Sequence, residues 1–207
     1  MRKVILIIAL VATSMSMAQD QYTKGMQKAF QLWGEGKTAE ASNMFERIAS
    51  VELDNWLPHY YVAQVNTVIS FGEKDKEKLT QQLEKAQESV DIAKAISPDN
   101  PEILVQQAMV HTAWVAFDGE TYGMTLAPKV TSIYAKAAEL APDNPRVVFS
   151  KAQWDMGSAQ YFGGDVTPYC KDVERAIELF NNFKPESDFH PNWGKDQAEA
   201  TLENCGK

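Results

Sequence analysis

The sequence predicts an all-α protein: a solenoid of about four antiparallel helix pairs, closed by one C-terminal capping helix. Three observations predict it. Apolar residues recur at three- and four-residue steps along the chain, as in the stripe Leu79, Leu83, Ala86, Val90, Ala93 and Ile96. No segment alternates with a period of two, so no strand is expected. Pro-Asp-Asn-Pro occurs twice, at Pro98–Pro101 and Pro142–Pro145, and similarity at a fixed spacing is the mark of a helical repeat array.

Taken in order, the chain opens with Arg2 and Lys3, an unbroken apolar run from Val4 to Ala12, and Ser16-Met17-Ala18. This is the order of a secretory signal peptide, and the run is too short to span a bilayer comfortably. Residues 1–18 are therefore expected to be a signal peptide and residues 19–207 a single repeat domain. Loss of Arg2 and Lys3 takes the formal charge from −8 to −10. An acidic surface repels nucleic acid and anionic membrane, so neither is an expected partner, and no membrane insertion is expected after cleavage. The chain holds two cysteines, Cys170 and Cys205. An even count in an exported chain points to a disulfide, with two unpaired thiols as the alternative. Closing that loop would stabilise the fold by roughly 3–4 kcal/mol if the chain-entropy account holds.

The first pair of helices is predicted at 22–33 and 38–50, split by Gly34-Glu35-Gly36. The second covers 58–71 and 76–96, split near Gly72. The third covers 101–117 and 128–140, split by the loop "DGETYGMTLA". The fourth covers 145–162 and 169–183, split by "GGDVTP", and a single helix comes after it at 195–205. Asn100 and Asn144 are predicted N-caps, with Pro101 and Pro145 at the first helical positions and Pro98 and Pro142 stopping the helix before. Asp54-Asn55 is a weaker version of the same turn, and the stretch "KPESDFHPNW" from Lys184 a degenerate one.

The spacing carries further information. Asp54 to Asp99 is 45 residues and Asp99 to Asp143 is 44, and Ala63, Ala108 and Ala152 each lie nine residues after their Asp. Ala29 lies 34 residues before Ala63. The segment "GKTAEASNMFERIASVELDN" places Gly36, Ala41, Phe45 and Asp54-Asn55 as the tetratricopeptide repeat does, with Ala29 at its small-residue position. The chain from Tyr22 to Phe183 therefore resembles an exported bacterial tetratricopeptide repeat-like protein. Pro98 and Pro142 fall at the closing proline of that pattern, Ala93 and Ala137 at its small position, and Ala176 and Phe180 repeat Ala41 and Phe45. Val90 and Tyr134 take the aromatic position. The second to fourth repeats are longer than the family's 34 residues, and longer second helices together with longer inner loops are expected to absorb the excess.

No catalytic set is recognisable: His59, His111 and His190 lie in different pairs, and no phosphate loop, nucleophile elbow or metal-ligand spacing occurs. His111 reads as a packing residue. An enzyme, a metal site and a cofactor are not expected. The resemblance implies that the first helices line the concave side and carry Tyr60, Gln64, Val105, Met109, Phe149, Gln153 and Met156 there. That strip is apolar and amide-bearing, without charged clamps, and suits a peptide or protein segment; packing inside a compact bundle is the alternative. The loop Tyr161, Gly163, Gly164, Asp165 reads first as a helix end with left-handed glycines and Thr167-Pro168 as the next cap. Together with the Gly-containing loop of the third pair, it is the alternative site, for a small molecule. The expected function is thus a non-enzymatic interaction or scaffold module in the bacterial cell envelope, in the periplasm or at the cell surface. A small-molecule-binding protein is the alternative.

Overall fold

Asn55, Asn100 and Asn144 start the first helices of three successive pairs, as their position predicts. Their Oδ1 atoms accept the backbone N–H of Leu57 (3.0 Å), Glu102 (2.9 Å) and Arg146 (2.9 Å), satisfying donors that a helix start leaves unpaired. In the computed structural model, which describes residues 19–205, the helices are α1 (19–34), α2 (Thr38–Ala49), α3 (Trp56–Ser70), α4 (Lys76–Ile96), α5 (Pro101–Phe117), α6 (Gly119–Leu140), α7 (Pro145–Tyr161), α8 (Cys170–Asn182) and α9 (Lys195–Glu203), with a 3-10 turn at Thr167–Tyr169 before α8. The described residues contain no strand. None of the described helices is long and apolar enough to cross a membrane. The signal peptide predicted over residues 1–18 lies outside the described residues.

From α2 onward each helix packs on the next in chain order, and α3, α5 and α7 also touch one another side by side. The result is an all-α, tetratricopeptide-like solenoid of four helix pairs with α9 as the terminal cap. The residues that carried the resemblance are buried: Ala29, Ala41, Phe45, Ala63, Val90, Ala93, Tyr134, Ala137, Ala176 and Phe180. The core runs as three successive clusters. The first lies under α1–α5 around Phe45, Tyr60, Leu79 and Leu83, the second between α5, α6 and α7 around Val105, Tyr134 and Val147, and the third between α7, α8 and α9 around Phe149, Val173 and Phe180. Apart from the segment between α8 and α9, whose Phe189 packs on the first cluster and Trp193 on the second, each unit is buried against its neighbours, the solenoid pattern.

The extra length of the second and third repeats sits in their second helices: α4 has 21 residues and α6 22, against 12 in α2, whereas α8 of the fourth has 13. The inner loop expected in the third pair does not exist. "GETYGMTLA" is the first part of α6, joined to α5 by Asp118 alone, whose carboxylate accepts the Thr121 N–H at 3.0 Å as the cap. Pro128 lies inside α6 without ending it. The side chains of Met124 and Pro128 are exposed, so the carbonyl that Pro128 leaves unpaired four residues upstream faces water.

The two Pro-Asp-Asn-Pro turns also tie neighbouring repeats together. Asp99 takes a left-handed φ of 58°, which Asp tolerates better than most residues, and pairs with Lys136 on α6. Asp143 pairs in the same way with Arg175 on α8, at 2.8 Å. These exposed pairs contribute little, whereas the caps contribute more. Asn100→Ala is expected to cost about 1 kcal/mol, a fall in Tm of about 2–4 °C for a domain of this size, measurable by calorimetry.

Candidate binding surfaces

The solenoid presents two candidate surfaces. The first is the face made by α1, α3, α5 and α7. Of the predicted strip, Tyr60, Gln64, Val105 and Phe149 are buried, Val105 and Phe149 within the second and third core clusters, Met109 and Met156 are half-buried, and Gln153 is exposed. The face is not bare. The chain between α8 and α9, from Phe183 to Gly194, crosses it as a strap, so the degenerate turn read into "KPESDFHPNW" is instead a covering segment. Phe189 packs edge-on to Tyr22 and parallel to Phe30, at centroid distances of 5.5 and 6.1 Å. The Tyr61 hydroxyl donates to the Phe189 carbonyl and Trp193 Nε1 donates to the Tyr60 hydroxyl, both at 2.8 Å. Burial pushes the Tyr60 hydroxyl pKa well above its ordinary value, with the charge of Glu102 adding to the effect. Tyr60 is therefore a neutral phenol that accepts from the indole.

Beneath the strap lies a charged pair that sequence reasoning missed. Arg146 and Glu102 are 0% and 2% exposed. Arg146 Nε donates to Glu102 Oε2 at 2.7 Å and Nη2 to Oε1 at 2.6 Å, a two-point contact of the strong kind. Asn144 Nδ2 donates to Glu102 Oε1 at 2.6 Å, His190 Nε2 lies 3.7 Å from the same oxygen, and the Phe183 ring sits 4.3 Å from the guanidinium carbon. Burial raises the Glu102 pKa, but hydrogen bonds from Arg146 and Asn144, the guanidinium charge and the nearby His190 ring outweigh it and hold the carboxyl below its usual value. The signal was present in the sequence. Glu102 and Arg146 directly follow the two equivalent prolines and carry opposite charge 44 residues apart.

The second surface is the edge where the first helices end. A cleft of about 290 Å³ lies between the ends of α3 and α5, lined by Ser70, Phe71, Glu73, Lys74, Ala113 and Phe117 among others. One residue after Asp118, the backbone of Gly119 approaches the Tyr161 ring: a Cβ there would lie 3.9 Å from it. Tyr161 and Phe162 pack edge to face at 5.1 Å and are 71% and 83% exposed. Phe71 is 48% exposed. Gly119 of the third pair's connection and Tyr161 at the end of α7 are thus neighbours.

Within that loop the other residues serve the backbone. Gly163 alone takes a left-handed φ, 71°. Gly164 does not, though a Cβ there would come within 3.3 Å of the Ala159 carbonyl oxygen, a tight contact. The cap falls to Asp165 rather than Thr167: its Oδ1 accepts the Thr167 N–H at 2.9 Å, and this bonding lowers its pKa. His111 is half-buried, 3.2 Å from Gln107 Nε2, and burial with the Lys129 charge lowers its pKa. The Cys170–Cys205 disulfide is formed, joining the start of α8 to the end of α9.

The class these features define is a tetratricopeptide-like helical protein with one self-covered face and one aromatic edge. The fold is similar to that of the HusA haemophore from Porphyromonas gingivalis, with a TM-score of 0.76 over 89% of this chain and 92% of that chain at 24% identity. A thermophilic tetratricopeptide protein from Thermus thermophilus aligns at a TM-score of 0.39 and 13% identity, over 89% and 98% of the two chains. No protein-family profile matches the sequence, and no curated protein is a significant relative.

Proposed function

We propose that this protein is a non-enzymatic binding module of the bacterial cell envelope. It carries a flat, apolar small molecule of the porphyrin kind on its aromatic edge. The observation that carries the reading is the exposed ring pair Tyr161 and Phe162 at the end of α7, on the edge where α3 ends at the exposed Phe71 and α5 at the cleft beside Phe117. Exposed apolar side chains gathered at one edge mark an interaction site, and aromatic faces suit a planar ligand. The disulfide and the leader-like start support work outside the cytoplasm. The fold's likeness to a haemophore supports this class of cargo. Haemin titration tests the reading, through the porphyrin absorbance band and quenching of Trp fluorescence. Saturable binding is expected, weakened at least tenfold by Tyr161→Ala with Phe162→Ala, the size of effect that losing two aromatic contacts of about 1 kcal/mol each would give. Absence of a spectral change, or equal affinity in the double variant, overturns it.

A second reading keeps a peptide or protein segment on the α1, α3, α5 and α7 face, where Tyr60, Gln64, Val105, Met109, Phe149, Gln153 and Met156 were expected to bind. It is favoured by one observation: the chain's own strap already lies there in the manner of a peptide.

A further inference from the structure

We propose that the strap Phe183–Gly194 is a built-in occupant of the first-helix face, held in place by the Cys170–Cys205 disulfide. Reduction of that bond by an external dithiol releases the strap and opens the face to an extended peptide of the same chemistry. The proposal rests on the peptide reading of that face and is independent of the aromatic edge.

The strap has little structure of its own. Its internal backbone hydrogen bond runs from the His190 N–H to the Ser187 carbonyl, and residues 184–188 are exposed. Its contacts are those that a bound peptide makes: a ring between Tyr22 and Phe30, a main-chain carbonyl on the Tyr61 hydroxyl, an imidazole beside Glu102, and an indole N–H on the Tyr60 hydroxyl. The helix after the strap is a weak anchor. This helix, α9, has nine residues and one buried side chain, Ala198, and helices this short are marginal without support. The disulfide supplies that support, because the 35-residue separation it bridges contains the whole strap. When the bond is cut, the strap is tethered at α8 alone.

Reduction is balanced by the dithiol. It gives two electrons and two protons, the S–S bond breaks, Cys170 and Cys205 become thiols, and the dithiol leaves as a disulfide. The uncovered face then presents the Tyr22 and Phe30 rings, the two Tyr hydroxyls and the Glu102 carboxylate. It fits an extended segment with an aromatic residue, an imidazole or cation next to it, and an indole four positions after the aromatic.

The test uses the purified protein, a fluorescein-labelled peptide of residues 183–194, anisotropy and hydrogen exchange. After dithiothreitol, or in Cys205→Ser, the peptide is expected to bind at least tenfold more tightly than to the oxidised protein. The His190 amide and those of α9 should lose protection while those of α3, α5 and α7 keep theirs. Phe189→Ala with Trp193→Ala, which loosens the strap with the disulfide intact, is expected to gain peptide binding as well. Equal peptide affinity in all these forms overturns the peptide face. Unchanged protection of the His190 amide and of α9 on reduction overturns the latch, as does loss of protection throughout α3, α5 and α7 together with α9. Haemin binding at the aromatic edge is unaffected by either failure.

Discussion

Replacing Arg146 by Met is expected to lower the unfolding free energy by about 3–5 kcal/mol at pH 7, because removal of one partner leaves a buried charge uncompensated. The remaining Glu102 carboxylate is 2% exposed and would keep only Asn144 and the imidazole of His190 nearby. For a domain of this size, the loss corresponds to a fall in Tm of about 10 °C. Arg146→Met combined with Glu102→Leu is expected to recover most of it, since both charges are then gone and the volume is roughly kept. Urea titration of the three proteins checks the pattern, and a double variant as unstable as the single one would remove the ion pair as the cause.

The pH dependence has a defined sign. Glu102 has a folded pKa below its usual value, so its contribution is fully present above the ordinary carboxylate range and is lost as pH falls through the folded value. In Arg146→Met, burial is left as the main influence and raises the pKa instead, so the carboxyl takes up a proton more readily in the folded state. The stability gap between wild type and variant is therefore expected to narrow as pH falls from 7 towards 4.

Gly194→Ala is the second large effect. Gly194 has a φ of 110°, closed to L side chains, and a Cβ there would stand 2.8 Å from Phe180 Cζ. Phe180 is buried in the third core cluster and cannot swing aside into solvent. Backbone strain and overpacking together are expected to cost about 2–4 kcal/mol. The loss should be local. The residue joins the strap to α9, and its carbonyl accepts the Ala198 N–H at 2.9 Å. Hydrogen exchange is expected to rise at the His190 amide and over α9 while α3 to α6 keep their protection. A uniform rise across the chain would mean that the strap end and the solenoid unfold as one unit.

The helix starts were legible because their causes are local. Asn55, Asn100 and Asn144 cap within two or three residues of themselves, and Pro101 and Pro145 set the first helical angle. The repeat spacing and the buried alanines were legible because each reports one close helix crossing. The start of α6 was not: Gly123 and Pro128 look like loop residues, and Pro128 is tolerated inside the helix because its side chain and that of Met124 four residues before are exposed. The candidate site was legible in part. Tyr161 and the third-pair connection were singled out, but their approach at Gly119 depends on the way α7 returns along α6. Residues of the first-helix strip were identified as a face, whereas Val105 and Phe149 pack into the second and third core clusters and the Tyr60 hydroxyl is met by a segment more than 120 residues away.

By itself, then, the sequence determined the all-helical class, the pairing of helices, the caps between repeats and the cysteines available for pairing, since each is set by periodicity or by contacts a few residues apart. Only the tertiary structure decided which face is open. Whether Phe189, His190 and Trp193 project into solvent or cover α1, α3 and α5 depends on the direction in which the chain leaves α8. It depends equally on Gly194 turning the chain into α9 and on Cys205 reaching Cys170, relations between distant segments that local pattern does not encode.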